Sequence, residues 1–178
     1  MSIILLVIKT IWFILPAYVA NMAPLICKNI KFLDRPIDFN KTFRDKPIFG
    51  KHKTIRGLLC AIIAGETIVF LQYMTSPYLD SILVLNYNNW FLVGLLFSVG
   101  SMAGDLIESF FKRQLNKSGG DKWFPFDQLD FIVGSLIFIS ILQVPPLYMI
   151  IILLLLTPVL HLLTNYIAYK IKVKDVMW

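Results

Sequence analysis

The sequence predicts an all-α membrane protein with about five transmembrane helices and two charged loops on the cytoplasmic side. Three observations lead to this fold class. The 178 residues are 57% hydrophobic and 16% charged, and their mean hydropathy of +0.71 is too high for a soluble domain. Five apolar segments approach the roughly 20 residues that a helix needs to cross a bilayer. Nearly all lysines and arginines lie outside these segments, as in multi-pass membrane proteins.

The first two apolar segments, residues 3–26 and 55–74, are long enough to span a membrane. The first contains Lys9 and Pro16, and membrane helices tolerate such a proline. A cleaved signal peptide is the alternative, because the sequence AYVA precedes Asn21. No positively charged segment leads it, however, and the apolar run exceeds the roughly 7–15 residues of a signal-peptide core. We therefore expect a retained helix.

The remaining segments, residues 90–111, 129–144 and 147–167, complete the predicted bundle. The segment at 129–144 is short for a span. A pair of prolines predicts a tight turn between it and the last segment. The whole chain, residues 1–178, is expected to form a single integral-membrane domain.

The distribution of positive charge predicts the orientation. Loop 27–54 contains eight lysines and arginines, loop 112–128 contains four, the C-terminal tail contains three, and Arg56 lies just inside the second span. These are sixteen of the seventeen basic residues, and Lys9 is the exception. The positive-inside rule places both loops and the C-terminus in the cytoplasm and the N-terminus outside. The expected location is the cell membrane.

The stretch from Gly104 to Phe131 carries the groups that are best suited to chemistry. Asp105 lies well inside an apolar span, where an ionisable group costs about 2.5–3.5 kcal/mol and indicates a function. In a helix, Glu108, Ser109 and Lys112 follow at i+3, i+4 and i+7 and share the face of Asp105. Carboxylates, a hydroxyl and a cation on one face at the water boundary favour a site for a metal ion and phosphates.

Two loops on one side of the membrane, each rich in cations and continuous with an acidic helix end, suggest a nucleotide site. Asp105, Asp127 and Asp130 are the candidate metal ligands, since phosphoryl or nucleotidyl transfer uses a divalent ion to bridge phosphate oxygens. Asp127 could instead cap the fourth helix, with Asp130 in its first turn, where the helix dipole favours a carboxylate. Asp105 could instead form an interhelical hydrogen bond or pair with a lysine. Glu66 and Glu108 are either site residues or buried polar contacts, and the sequence does not decide between these.

The first loop ends with a basic cluster, GKHKTIRG. Its residues Lys51, Lys53, Thr54 and Arg56 surround the predicted start of the second helix, where free N–H groups attract anions. The GxxxxGK[ST] spacing of a phosphate loop is missing. A juxtamembrane cluster that binds anionic lipid is therefore an open alternative, and the place of Lys51 is undecided.

GDLIESFFKR followed by PFDQLDF resembles the signature of integral-membrane CTP:phosphatidate cytidylyltransferases, in which an S-x-x-K-R element precedes a proline and a D-[RQ]-x-D pair. The chain is more similar to the CDP-archaeol synthase family, in PAYVANMAP (16–24), RPIDFNKTFRDKPIFGKHKTIRG (35–57) and DQLDF (127–131). Two departures are visible: GKHKT stands where many members have GDGKT, and Ile55 stands where tryptophan is usual.

The resemblance implies transfer of CMP from CTP to a membrane lipid phosphate, with release of pyrophosphate. The expected lipid is 2,3-bis-O-(geranylgeranyl)-sn-glycerol 1-phosphate, which gives CDP-archaeol; the alternative is phosphatidate, which gives CDP-diacylglycerol. Mg²⁺ is the expected cofactor, and no nucleic acid is needed to explain the net charge of +6. A small ion transporter that uses Asp105 and Glu66, or a non-catalytic membrane assembly factor, are the alternatives from other functional classes.

The resemblance also implies roles for the candidate residues. Asp105, Asp127 and Asp130 would position Mg²⁺ on the CTP phosphates, and Lys112 and Arg113 would neutralise phosphate charge. The residues expected to bind the nucleotide are Asn21, Lys53, Thr54, Arg56 and Ser109. The nucleophile, a lipid phosphate oxygen, is already ionised at pH 7, so catalysis would consist mainly of in-line positioning and charge neutralisation.

Overall fold

A computed structural model describes residues 2–119 and 121–172; the last part of the basic C-terminal tail, residues 173–178, lies outside these ranges. The described chain forms five α-helices and one small β-hairpin. The helices are α1 (Ile3–Ile26), α2 (Ile55–Thr75), α3 (Trp90–Gln114), α4 (Phe126–Ile139) and α5 (Leu147–Lys170). The hairpin pairs β1 (Thr42–Phe43) with β2 (Lys46–Pro47) in antiparallel register. The predicted all-α membrane fold is confirmed, and the hairpin is an addition within the first loop.

Four of these helices, α1, α2, α3 and α5, are long and apolar enough to cross a membrane. Helix α4 has 14 residues and is about 21 Å long at 1.5 Å per residue, short of the roughly 30 Å of a bilayer core. It begins at Phe126 and ends at Ile139, whereas the apolar segment runs from 129 to 144. Its first turn therefore belongs to the polar boundary, with Asp127 in that turn and Asp130 directly after it.

Glycines allow α3 and α4 to pack more extensively than any other pair of helices. A Cβ atom on Gly100 or Gly104 of α3 would meet the main chain of α4, and a Cβ on Gly134 of α4 would meet the main chain of α3. Small residues at such a crossing let two membrane helices approach closely. The approach holds Asp130 beside the turn of α3 that carries Asp105.

Aromatic side chains fill the centre of the bundle. Phe13 of α1 and Phe97 of α3 are fully buried and meet edge to face with ring centroids 5.4 Å apart. Tyr18 of α1 contacts the buried ring of Phe131 on α4 at 5.2 Å and donates a hydrogen bond to Thr157 of α5 at 2.9 Å. These contacts join four helices around one core.

The first loop is ordered by hydrogen bonds at its two ends. The Ile37 N–H donates to the carbonyl of Lys53 at 2.8 Å, and the Ile55 N–H donates to the carbonyl of Arg35 at 2.9 Å. Thr54 is the N-cap of α2, and its hydroxyl accepts from a main-chain N–H of the first turn at 3.1 Å. The basic cluster is thus fixed at the start of α2.

Candidate active site

A cavity of about 500 Å³ lies where α2 begins, α3 ends and α4 begins. Helix α3 contributes Asp105, Glu108, Ser109 and Lys112 to its wall, which is the single face that their spacing predicts. The first loop and the N-terminal part of α4 line the other sides. From these elements and the end of α3 come Asp38, Lys51, His52, Lys53, Arg113, Asp127 and Asp130.

Three carboxylates converge in this cavity. One oxygen from each of Asp105, Glu108 and Asp130 lies within 4.8 Å of the others. The buried Glu108 Oε1 has no hydrogen-bond donor in the described part of the chain, and Lys112 Nζ approaches it only as an ion pair at 3.4 Å. Converging, incompletely satisfied carboxylate oxygens are ligands that Mg²⁺ prefers, so these residues fit a divalent ion.

Asp127 lines the same cavity but stands outside the carboxylate cluster. Its Oδ1 accepts from Lys112 Nζ at 2.5 Å, and its Oδ2 accepts from the Trp123 N–H at 2.8 Å. Glu108 occupies the place in the cluster that the sequence pattern assigns to Asp127, because it lies one helical turn from Asp105. Asp127 is also not the helix cap: Pro125 holds that position and makes no side-chain cap hydrogen bond.

Lys53 bridges the first loop to α3. Its Nζ donates to both carboxylate oxygens of Asp105 at 2.6 Å. Burial opposes the charge on Lys53, but the Asp105 carboxylate outweighs this effect, and the pKa of Lys53 is raised above its usual value. The alternative interpretation of Asp105, pairing with a lysine, is therefore realised inside the cavity, beside the other carboxylates.

Two predicted phosphate-binding residues of the first cavity have protein contacts. The Ser109 hydroxyl is buried, 3.5 Å from the Glu108 carboxylate. Arg113 donates to the carbonyl of Lys117 at 2.5 Å and lies against Gly50, so that its guanidinium is held at the rim between the two loops.

A second cavity, of about 670 Å³, adjoins the first. The Lys53–Asp105 ion pair lines both cavities, together with Lys51 and His52, and so forms part of their common wall. The rest of the second cavity is lined by polar groups and by apolar side chains of three membrane helices. These residues include Asn21, Pro24, Leu25, Lys28, Asp34, Thr54, Arg56, Leu58, Met102 and Leu106.

The predicted nucleotide-binding residues Asn21, Thr54 and Arg56 all fall in this second cavity. Thr54 is engaged in capping α2. Arg56 pairs with Asp34 at 3.0 Å and donates to the carbonyl of Ile30. The structure thus brings the candidate residues to one end of the bundle but divides them between two adjoining cavities.

The sequence left the roles of Lys51, Glu66 and Glu108 undecided, and the structure places two of them at the cavities and one outside. Lys51 lines both cavities and Glu108 belongs to the carboxylate cluster. Glu66 lies outside both cavities, against Gly94 of α3, and neither of its oxygens has a hydrogen-bond partner in the described residues. The i+3 spacing from Asp105 is the signal that identifies Glu108 as a possible ligand.

A family model described as CarS-like CDP-archaeol synthase matches residues 3–178. This chain belongs to the CDP-archaeol synthase family. The CDP-archaeol synthase of Pyrococcus furiosus is 39% identical over 173 residues, which cover 97% of this chain and 98% of the relative. That of Methanococcus aeolicus is 40% identical over 182 residues and 100% of both chains, and that of Archaeoglobus fulgidus is 35% identical over 183 residues, covering 97% and 98%.

The fold has a counterpart among solved structures. A chain described as an intramembrane enzyme for archaeal membrane lipids biosynthesis has a TM-score of 0.73 to this protein at 28% sequence identity, covering 87% of this chain and 91% of that one. Family and fold together confirm the predicted class, a multi-pass membrane enzyme that is a CTP-dependent cytidylyltransferase.

Proposed function

We propose that this enzyme transfers CMP from CTP to 2,3-bis-O-(geranylgeranyl)-sn-glycerol 1-phosphate, giving CDP-archaeol and pyrophosphate in phospholipid biosynthesis. One observation carries the proposal: converging carboxylates and several cations share a cavity at one end of the membrane helices, in a member of this family. The chain acts as one membrane domain, and the positive-inside rule turns this end, together with the C-terminus, toward the cytoplasm, the compartment of CTP.

We assign Asp105, Glu108 and Asp130 as the ligands of Mg²⁺, with Asp127 beside them as the partner of Lys112. An ion held by these carboxylates would neutralise phosphate oxygens and so favour displacement at the α-phosphate. Asp127 keeps the Lys112 ammonium fixed at 2.5 Å, so that this cation faces the cavity in one position. The carboxylate cluster and this cation thus lie side by side in one cavity, as a triphosphate with its counter-ion requires.

The basic residues neutralise the charge of the bound triphosphate and of the lipid phosphate. Lys112 and Arg113 lie on the α3 side of the cavity, and Lys53 lies on the loop side. Lys53 donates to Asp105 at 2.6 Å. When the Asp105 carboxylate serves as a metal ligand instead, the Lys53 ammonium can turn toward a phosphate oxygen. The Ser109 hydroxyl is a further donor.

The chemistry at the common wall is a single displacement at phosphorus. An oxygen of the lipid phosphate forms a bond to the α-phosphorus of CTP while the bond to the bridging oxygen breaks, and the electron pair leaves with pyrophosphate. The nucleophile is ionised at pH 7, so no general base is required. In-line positioning of the two substrates and neutralisation of their charge supply the rate enhancement.

Asn21 provides a specific test of how the second cavity is used. We propose that Asn21, with Thr54 and Arg56 nearby, binds the cytosine or ribose of CTP. Replacing Asn21 by alanine should then raise KM for CTP and leave KM for the lipid phosphate unchanged. A rise in the lipid KM alone would instead place the lipid headgroup in this cavity.

The function is tested with detergent-purified protein, radiolabelled CTP and Mg²⁺. The isoprenoid ether phosphate and phosphatidate are offered in one reaction, and the CDP-lipids are separated by chromatography. We expect the ether lipid product to predominate. Predominant CDP-diacylglycerol would overturn the lipid assignment, and the absence of any CDP-lipid, with CTP failing to raise the thermal stability, would overturn the proposed activity.

A further inference from the structure

The carboxylate of Asp38 is buried in the first loop, where only 7% of the residue is exposed. No lysine or arginine of the described residues forms an ion pair with it. Its charge is balanced by main-chain donors instead: Oδ1 accepts from the Asn40 N–H at 3.0 Å, and Oδ2 accepts from Phe49 and Gly50 N–H groups at 2.9 and 3.2 Å. Hydrogen bonds from N–H groups to a carboxylate are stronger than those to a neutral oxygen, so Asp38 holds these donors firmly.

The hydrogen bonds to Asp38 hold one end of a short turn, residues 49–53, and its neighbour Ile37 holds the other end. Within the turn, the Lys53 N–H donates to the carbonyl of Gly50 at 3.2 Å. At its far end, the carbonyl of Lys53 accepts from the Ile37 N–H at 2.8 Å. The segment from 49 to 53 is therefore fastened at both ends to residues 37 and 38.

This turn carries the cations of the common wall. Lys51 and Lys53 line both cavities, and Lys53 reaches Asp105 across the gap to α3. Gly50 has a φ of +93°, a left-handed conformation, and packs against Arg113, so that a Cβ atom there would lie 3.3 Å from Nε of the arginine. The turn thus joins the lysines of the first loop to a basic residue at the end of α3.

We propose that Asp38 is a positioning residue for the triphosphate of CTP. It acts through the main chain of the 49–53 turn, which sets where the ammonium groups of Lys51 and Lys53 lie relative to the carboxylate cluster. A carboxylate is needed because both of its oxygens accept hydrogen bonds from N–H groups on opposite sides. The inference rests on the proposed function, since it concerns how the same site binds CTP.

The test is the substitution Asp38→Asn. An amide retains one acceptor oxygen, but its NH₂ group faces a main-chain N–H and cannot accept from it. The hydrogen bonds to one of the two oxygens of Asp38 are therefore lost. We expect KM for CTP to rise about tenfold, the equivalent of one charged hydrogen bond at about 1.4 kcal/mol, with kcat and the lipid KM within about twofold of wild type. Asp38→Ala should raise KM for CTP further.

Asp45→Asn is the matched control. Asp45 is an exposed carboxylate in the turn of the β1–β2 hairpin and lines neither cavity. Its φ of +60° is one that asparagine also adopts readily, so the substitution should leave both KM values and kcat unchanged.

A second readout does not depend on turnover. The protein is treated with an amine-specific reagent in the absence of CTP. The rate of labelling at Lys53 is compared by mass spectrometry with the rate at the exposed Lys31. Asp38→Asn should raise the relative rate at Lys53. The inference is overturned if KM and labelling both match wild type. It is also overturned if kcat and thermal stability fall while both KM values rise, which would mark a general loss of folding. If the wild type makes no CDP-lipid, the proposed function fails, while the labelling still measures whether Asp38 positions Lys53.

Discussion

Replacing Asp105 by asparagine should separate activity from stability. The substitution keeps the size of the side chain and removes one of the three charges of the carboxylate cluster. Removing a single preorganised electrostatic group from an active site costs about 2.7–4 kcal/mol of transition-state stabilisation, or about 10²–10³ in kcat. We expect the formation of CDP-lipid to fall by at least this factor.

The effect on folding should be small because two opposing interactions are removed together. The ion pair with Lys53 at 2.6 Å is worth about 6 kcal/mol at an effective dielectric constant of about 20. Repulsion from Glu108 and Asp130, whose oxygens lie within 4.8 Å, amounts to at least about 3.5 kcal/mol for each ionised pair on the same scale. Attraction and repulsion nearly cancel, so the free energy of unfolding should change by no more than about 1–2 kcal/mol.

The assay combines CDP-lipid formation from radiolabelled CTP with thermal unfolding of the same detergent-purified preparation. Glu66→Gln is the matched control, because it changes a carboxyl group to an amide within the membrane helices, outside both cavities. This variant should retain wild-type turnover. Near-normal turnover of Asp105→Asn, or a loss of activity matched by a loss of folded protein, would refute the reasoning.

Three further predictions concern the same site. Lys112→Met should lower the free energy of unfolding by about 3 kcal/mol, because Glu108 and Asp127 lose the cation that they share, and denaturant unfolding measures this change. A chelator should abolish CDP-lipid formation and Mg²⁺ should restore it; Glu108→Gln should raise the Mg²⁺ concentration for half-maximal activity by about tenfold or more, and Asp127→Asn should raise it less. Gly104→Ala should cost about 1–3 kcal/mol and reduce turnover, since the new Cβ meets the main-chain carbonyl of Asp130 and forces α4 away from α3, which thermal unfolding and the activity assay both detect.

The helices were predictable because their signal is local. A run of apolar residues long enough to span a bilayer identifies a membrane helix without knowledge of its neighbours. Helices α1, α2, α3 and α5 lie where the sequence indicates. Helix α4 is the exception, because its first turn contains the polar residues Asp127 and Gln128, and hydropathy does not register such a turn.

The face of α3 was also predictable, since the positions of Asp105, Glu108 and Lys112 on one side follow from helical periodicity. Which carboxylate joins the metal cluster was not. Asp127 and Glu108 were both candidates by chemistry, and the position of Lys112 separates them: its ammonium lies 2.5 Å from Asp127 and 3.4 Å from Glu108. That difference depends on how α4 approaches α3.

The role of Asp38 was even harder to predict from the sequence. It stands in a polar loop, where an aspartate is ordinary, and its partners are main-chain groups up to twelve residues away. Main-chain N–H groups carry no sequence signature, so no motif reveals that this carboxylate holds a turn.

The amino-acid sequence by itself determined the class of fold, the number of helices, the charged end and, through its resemblance to a family, the chemistry. These properties depend on transfer of single side chains between water and lipid and on the 3.6-residue helical repeat, which neighbouring residues specify. Only the tertiary structure decided which carboxylates converge, that Lys53 pairs with Asp105, and that two cavities share this pair. These depend on the close glycine crossing of α3 and α4 and on the folded first loop, because distances of a few ångströms between residues far apart in the chain arise only when the helices pack.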